Sequence, residues 1–222
     1  MCTANCVLWV AKHISPKEIK GKKILEVGSF DVNGSVRPII ELLEPAEYVG
    51  TDMRSGPGVD VICAAEQLVD KFGKDRFDIV VSANTLEHVK EWKKAISNIK
   101  NVCKPDGTIL IIVPSKWPFH EYPYDYWRFN SGDISQIFAD CSILSLEEDA
   151  GEMTAVYAKI KKPLNFIENN LEDYQAYSVL LKKRVIDIDT DVINKLADRL
   201  VRRIDLQRRI IKSLKKFLPI RN

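Results

Sequence analysis

Two acidic side chains lie close to glycines near the ends of short apolar runs: Glu26 in ILEVG, two residues before Gly28, and Asp52 in YVGTD, two residues after Gly50. A carboxylate so placed accepts hydrogen bonds from hydroxyls and attracts cations, and each bond to a charged acceptor contributes roughly 1.5–3 kcal/mol. With Asp31 in the loop between them, the set suits a ligand carrying ribose hydroxyls and a positive centre, Asp52 accepting from both hydroxyls. A pyrophosphate is poorly served by that loop. No Gly-Lys-Ser/Thr follows the loop, and Gly28 and Gly34 enclose five non-glycine residues where a dinucleotide fingerprint would have Gly-x-Gly-x-x-Gly. A second constellation is Pro114 to Phe129, PSKWPFHEYPYDYWRF, in which His120, Glu121, Asp125 and Arg128 are set among two phenylalanines, two tryptophans and three tyrosines. Aromatic walls around a few polar groups make a pocket for a small molecule.

These residues need a scaffold that brings strand ends together. Ile24 to Gly28 reads as a short buried strand, Val36 to Leu43 as a helix by the return of apolar residues, and Tyr48 to Thr51 as a second strand ending at Asp52. Further strands are expected at Val59 to Ile62, Phe77 to Val81 and Thr108 to Val113, with helical spacing through Ala64, Leu68 and Phe72 and over Ala95 to Val102. Ser142 to Leu146 and Met153 to Ile160 read as a hairpin joined through Glu147 to Gly151. Strands alternating with helices require right-handed crossovers and a parallel sheet covered on both faces. Ligands bind such sheets where loops leave the carboxyl ends of the strands. Cys2 to Lys20 reads as a leading helix interrupted near Ser15-Pro16, able to cover the ligand site or to pack on the sheet.

The runs LEVGSFDVNG, YVGTDMRSGPGVDVI, FDIVVSANTLEHV, CKPDGTILIIVPS and PFHEYPYDYWRF, in this order, resemble the class I S-adenosylmethionine-dependent methyltransferases, in particular the small methyltransferase type 11 kind. The resemblance covers about Lys22 to Ile160. It implies a doubly wound, mostly parallel seven-stranded α/β sheet with one antiparallel strand and helices on both faces, a Rossmann-like fold, over residues 1–162. It also implies S-adenosylmethionine as cofactor and methyl transfer to an oxygen or nitrogen of a small or medium acceptor. By the resemblance, Asp52 binds the ribose hydroxyls, Met53 covers one adenine face, and Glu26 sits near the methionyl amine. Gly28 lets the backbone approach, with Ser29, Phe30 and Asp31 in the same loop, and Asn84 stands beside the cofactor. The family's acid for the adenine amino group falls at Ala64 here, which leaves backbone groups near Ala65 or the Glu66 carboxylate to replace it. His120 is the first candidate for a general base, Asp125 its partner or a substrate contact, and Arg128 a partner for an acceptor carboxylate or phosphate. Asp125 and Arg128 could equally form an ion pair within a self-packed loop. His88 fits a base, its ordinary pKa being near 6.5, and equally a residue that orients its loop. A cofactor-binding or scaffold protein of the same fold is the alternative to an enzyme.

Composition sets the remaining expectations. With 222 residues, 45% hydrophobic and 29% charged, the chain has the make-up of an ordinary soluble globular protein. Five cysteines without a repeating spacing suit a reducing cytoplasm. No metal site is expected, because Cys2 and Cys6 with His13 lack the second half of a zinc set. Residues 163–222 read as a helical extension, with long helical patterns over Leu164 to Arg184 and Asp191 to Phe217. From Arg199 onward nine Lys or Arg stand against one acid, Asp205, a charge of +8 that leaves −6 on the preceding 198 residues of a chain whose net charge is +2. The last helix carries an apolar stripe, Ile193, Leu196, Leu200, Ile204, Ile211, Leu214 and Leu218, with Arg203, Arg209, Lys212 and Lys216 off it. Packing on the domain, or on the same helix of a second subunit in a homodimer, fits this pattern best. A membrane surface fits less well, and nucleic acid least, since no aromatic residue interleaves with the basic ones before Phe217.

Overall fold

Every second residue of a strand faces the same side of a sheet, and the apolar runs of this chain alternate so as to cover both sides. The computed structural model describes residues 4–32, 34–120, 125–196 and 199. Its strands in chain order are β1 (Lys23–Val27), β2 (Glu47–Asp52), β3 (Val61–Ile62), β4 (Phe77–Ala83), β5 (Cys103–Lys116), β6 (Trp127–Arg128), β7 (Ser142–Glu148), β8 (Thr154–Lys161), β9 (Ala176–Ser178) and β10 (Lys183–Val185). Seven of them form one sheet in the order β3-β2-β1-β4-β5-β8-β7, in which β8 runs antiparallel to both its neighbours. The strand order reverses between β1 and β4, so the loops that follow those two strands leave the carboxyl edge in opposite directions and open a crevice there.

One face is covered by α1 (Ala4–His13), α2 (Pro16–Ile19) and α3 (Arg37–Glu41), the other by α4 (Leu68–Phe72), α5 (Trp92–Val102) and α6 (Ser131–Ile137). Parity along β5 decides which face each residue meets: Leu110 and Ile112 join the α1–α3 layer, whereas Ile109, Ile111 and Val113 join the α4–α6 layer. Phe77 and Ile79 have the same parity yet enter opposite layers, and the pairing with β5 shifts register between them. Proline opens α2 after Ser15, as expected from its fixed φ and missing N–H. Cys6, Trp9 and Val10 bury α1 against the sheet.

The expected helix over Leu164 to Arg184 is not formed. The segment is irregular up to β9, and β9 and β10 form a hairpin that adds to β6 in a second, three-stranded antiparallel sheet. The reason is tertiary. Asn130 caps α6 in a reciprocal box with Asp133, and the Asp133 carboxylate then accepts from the Tyr174 hydroxyl (2.7 Å) and from Arg184, which anchors the middle and the C-terminal end of the segment. The Tyr174 ring meets Trp92 edge-on at 6.0 Å, and Ala176 and Ile188 are buried in the α4–α6 layer. Apolar residues so used satisfy a helical period by accident. Helical backbone resumes over residues 190–196. The remainder of the expected basic helix, including its role in a homodimer, lies outside the described residues. No helix among the described residues is long and apolar enough to cross a membrane.

Candidate active site

Gly28 ends β1 with φ +77°, and its N–H and that of Ser29 both donate to the Thr51 carbonyl, at 2.7 and 2.9 Å, tying the start of the loop to β2. A Cβ at position 28 would lie 2.0 Å from Thr85 Oγ1, so glycine is needed for space as well as for conformation. The loop then runs along the segment after β2. Asp31 donates its N–H to the Pro57 carbonyl (2.9 Å) and accepts from the Gly34 N–H (2.8 Å), while the Phe30 ring lies under the Arg54 guanidinium at 5.2 Å. Ser29 is buried, and its hydroxyl has no partner among the described residues.

Glu26 is 5% exposed and accepts a hydrogen bond from the Tyr48 hydroxyl at 2.8 Å. Register explains the pair. Glu26 stands opposite Gly50 and Tyr48 opposite Ile24, so Tyr48 is a diagonal neighbour on the same face and reaches over the glycine. Tyr48 is backed in turn by Arg37, whose guanidinium is 4.8 Å from the ring centre and donates to Asp60 at 2.8 Å. Tyr48, Arg37 and Asp60 belong to the site and were not singled out from sequence; parity on a paired strand would have pointed to Tyr48.

Burial pushes the Glu26 carboxyl up to about 7, outweighing the Tyr48 hydrogen bond, which pulls it down. The folded chain therefore holds this proton more tightly than the unfolded chain. The cost of ionising Glu26 is absent below the unfolded pKa, about 4.3, grows as pH rises through the window up to about 7, and is fully present above it. Glu26→Gln is expected to remove this decline, a gain of roughly 3 kcal/mol at pH 8 and little at pH 4.5. Urea unfolding of the ligand-free protein at both pH values measures it, and parallel pH profiles for the two proteins would refute it.

Asp52 is half-buried at the tip of β2, with one oxygen, Oδ1, accepting from the Arg54 N–H at 3.0 Å. Met53 beside it is 73% exposed, and Ile62, paired with Asp52 across β3, is also exposed, giving the carboxylate two apolar flanks. Ala65 is buried and Glu66 half-buried in the single turn that leads into α4. Asn84 follows β4 with φ +51°. Its N–H donates to the Ile112 carbonyl (2.8 Å) and its Nδ2 lies 3.5 Å from Cys6 Sγ, so α1 reaches the carboxyl edge as well as packing on the sheet.

The loop after β4 joins this region to the second constellation. Its Thr85 touches Gly28, while the Glu87 carbonyl accepts from the Tyr126 N–H (2.8 Å) and the Val89 carbonyl from Trp127 Nε1 (3.1 Å). The His88 and His120 rings meet edge-on at 5.0 Å, an approach that sequence reading did not anticipate. His120 Nδ1 is 3.1 Å from Asp125 Oδ2, and the same oxygen accepts from the His120 backbone N–H at 2.8 Å. The hydrogen bond with Asp125 raises the His120 imidazole above its ordinary pKa, against desolvation. Burial alone would raise Asp125; hydrogen bonds from Arg128 and His120 overcome it and hold that carboxyl at about 2. Arg128 is 4% exposed, bonds Asp125 with both terminal nitrogens (2.5 and 2.7 Å), and donates to the carbonyls of Trp117, Pro118 and Trp127. All five N–H donors of a guanidinium are thus engaged inside the loop. Arg128 positions Asp125 and the turn at Trp117-Pro118. Glu121 lies outside the described residues.

The family described as "Methyltransferase domain" matches residues 10–151. No curated protein matches the chain. Solved structures of similar fold include an S-adenosylmethionine-dependent methyltransferase from Mesorhizobium loti, 14% identical with TM-score 0.56, covering 72% of this chain and 98% of that one. A phosphoethanolamine N-methyltransferase from Haemonchus contortus in complex with S-adenosyl-L-methionine is 16% identical with TM-score 0.54, covering 72% and 53%. The [4+2]-cyclase SpnF is 15% identical with TM-score 0.57, covering 72% and 82%, so the fold alone does not dictate methyl transfer. The residues at the carboxyl edge fit the cofactor of the two methyltransferases: a buried carboxylate beneath a glycine of positive φ, a half-buried carboxylate with one oxygen uncommitted to the Arg54 amide, and exposed apolar flanks for a flat ring. With the family match spanning the segment that builds this edge, the chain belongs to the methyltransferase-domain family and is a class I enzyme whose cofactor is S-adenosylmethionine.

Proposed function

We propose that the enzyme methylates an oxygen or nitrogen atom of a small or medium acceptor held between the loop after β4 and the aromatic loop around residues 117–129. The observation that carries this reading is the half-buried His120 imidazole with the Asp125 carboxylate behind its Nδ1. Such a carboxylate fixes the ring's orientation and tautomer, leaving Nε2 to accept a proton. The cofactor supplies a methyl group already activated on a sulfonium, so the chain's own task is alignment, worth roughly 7–11 kcal/mol of barrier, and removal of the acceptor's proton. In this reading Asp52 holds the ribose hydroxyls, Met53 lies on the adenine, Ala65 and Glu66 meet its edge, and Glu26 faces the methionyl amine. Gly28 to Asp31 and Asn84 line the path between them. His88 orients His120 through the ring contact. Asp125 and Arg128 hold the loop in place.

Transfer from a methyl-labelled donor to a panel of alcohols, phenols and amines tests it. Label should reach at least one acceptor, and His120→Ala should lower kcat by roughly 10²–10⁴-fold with its unfolding midpoint unchanged. Undiminished transfer by a folded His120→Ala protein would remove His120 as the base.

A further inference from the structure

Glu87, His88 and His120 each bring one potential ligand atom to within 4.8 Å of the other two. Glu87 is 1% exposed, and its Oε2 has no hydrogen-bond partner among the described residues, while Oε1 lies 3.8 Å from His88 Nε2. A buried carboxylate oxygen without a partner is costly, and the group answers by holding a proton or by meeting a cation. His120 Nδ1 is committed to Asp125, which leaves Nε2 as its remaining lone pair. A carboxylate behind an imidazole is how proteins orient a metal-bound histidine and raise its basicity, and Asp125 is itself fixed by Arg128.

We propose that Glu87, His88 and His120 bind a divalent first-row transition ion, of which Zn²⁺ is the simplest case. Two imidazoles and one carboxylate are a ligand set that leaves coordination positions open. Ligand atoms around a tetrahedral ion with bonds of 2.0–2.1 Å stand about 3.4 Å apart, so modest rotations of the three side chains close the set. With the ion bound, His120 Nε2 is a ligand and cannot take a proton, so its role as base in the proposed reaction belongs to the metal-free protein. Sequence spacing hides this site, because two ligands are adjacent and the third comes from another loop.

The test uses the full chain, stripped with a chelator and titrated with Zn²⁺ alone, without S-adenosylmethionine, so that its result is independent of methyl transfer. One equivalent should bind, and His88→Gln and Glu87→Gln should each weaken binding at least about tenfold, while His13→Ala and Cys141→Ser leave it unchanged. Co²⁺ in place of Zn²⁺ should give visible d–d absorption without the strong near-ultraviolet band of a thiolate ligand. If Glu87→Gln unfolds the chain, His88→Gln, on a partly exposed side chain, carries the test. Absence of stoichiometric binding, binding unmoved by His88→Gln, or a thiolate band would overturn the proposal.

Discussion

Arg128→Met is expected to destabilise the protein by roughly 3–5 kcal/mol, the cost of leaving one member of a buried ion pair without the other. Asp125 is fully buried and ionised, held low by the guanidinium, and methionine offers it no donor. The same substitution strips the carbonyls of Trp117, Pro118 and Trp127 of their hydrogen bonds, so the turn that presents His120 loses its fixed path. Lysine would restore the charge without the planar fork that meets five acceptors in two directions, and should recover less than half of the loss. Adding Asp125→Leu to Arg128→Met should return part of the stability, because an apolar pair removes the stranded charge. It should not return activity, since His120 then has no carboxylate behind it. Urea unfolding of the three variants decides the matter, and a loss below about 1 kcal/mol for Arg128→Met would mean that the pair is far more hydrated than its burial indicates.

Gly28→Ala should be comparably damaging for a steric reason. A residue with a Cβ at φ +77° costs roughly 1–2 kcal/mol. The added carbon would also sit 2.0 Å from Thr85 Oγ1 and 2.7 Å from Thr85 Cβ, and Thr85 cannot swing away freely because its hydroxyl donates to the Val27 carbonyl at 3.0 Å. Overpacking of this kind adds roughly 1–3 kcal/mol, for a total of about 2–5 kcal/mol. Thr85→Gly in the Gly28→Ala background should relieve the collision and leave only the backbone term. Unfolding free energies of the single and double variants measure this, and an uncorrected double variant would show that Thr85 is not the obstacle.

The sheet was legible because its strands are buried on both faces and read as unbroken apolar runs, and because alternation along β5 and β8 is satisfied by helices on either side. Asp52 and Glu26 were legible for a related reason: a carboxylate at the end of an apolar run is out of place unless it meets something polar. Tyr48 was not, because its contact with Glu26 depends on the register in which two strands pair, which is not visible in one strand's sequence. The stretch from Leu164 to Arg184 was misread as helical because its apolar residues happen to recur at spacings that a helix also gives. What decides its form is a set of long-range contacts to Asp133 and Trp92. The aromatic loop drew attention by composition alone. That Arg128 faces inward and His120 meets His88 follows from the path of two loops, which no local pattern encodes.

The placement of the cofactor is tested most directly by calorimetric titration of S-adenosylhomocysteine into the unaltered protein and into Asp52→Ala. Among the described residues Asp52 makes a side-chain bond to the Arg54 amide at the half-exposed tip of β2, so the substitution should leave the unfolding midpoint within a few degrees of its original value. One molecule should bind per unaltered chain, and the variant should bind more weakly by roughly 1.5–3 kcal/mol, a factor of about 10–150. Equal affinities in the two proteins, or no binding to the unaltered one, would contradict a ribose clamp at the end of β2 and with it the site built around it.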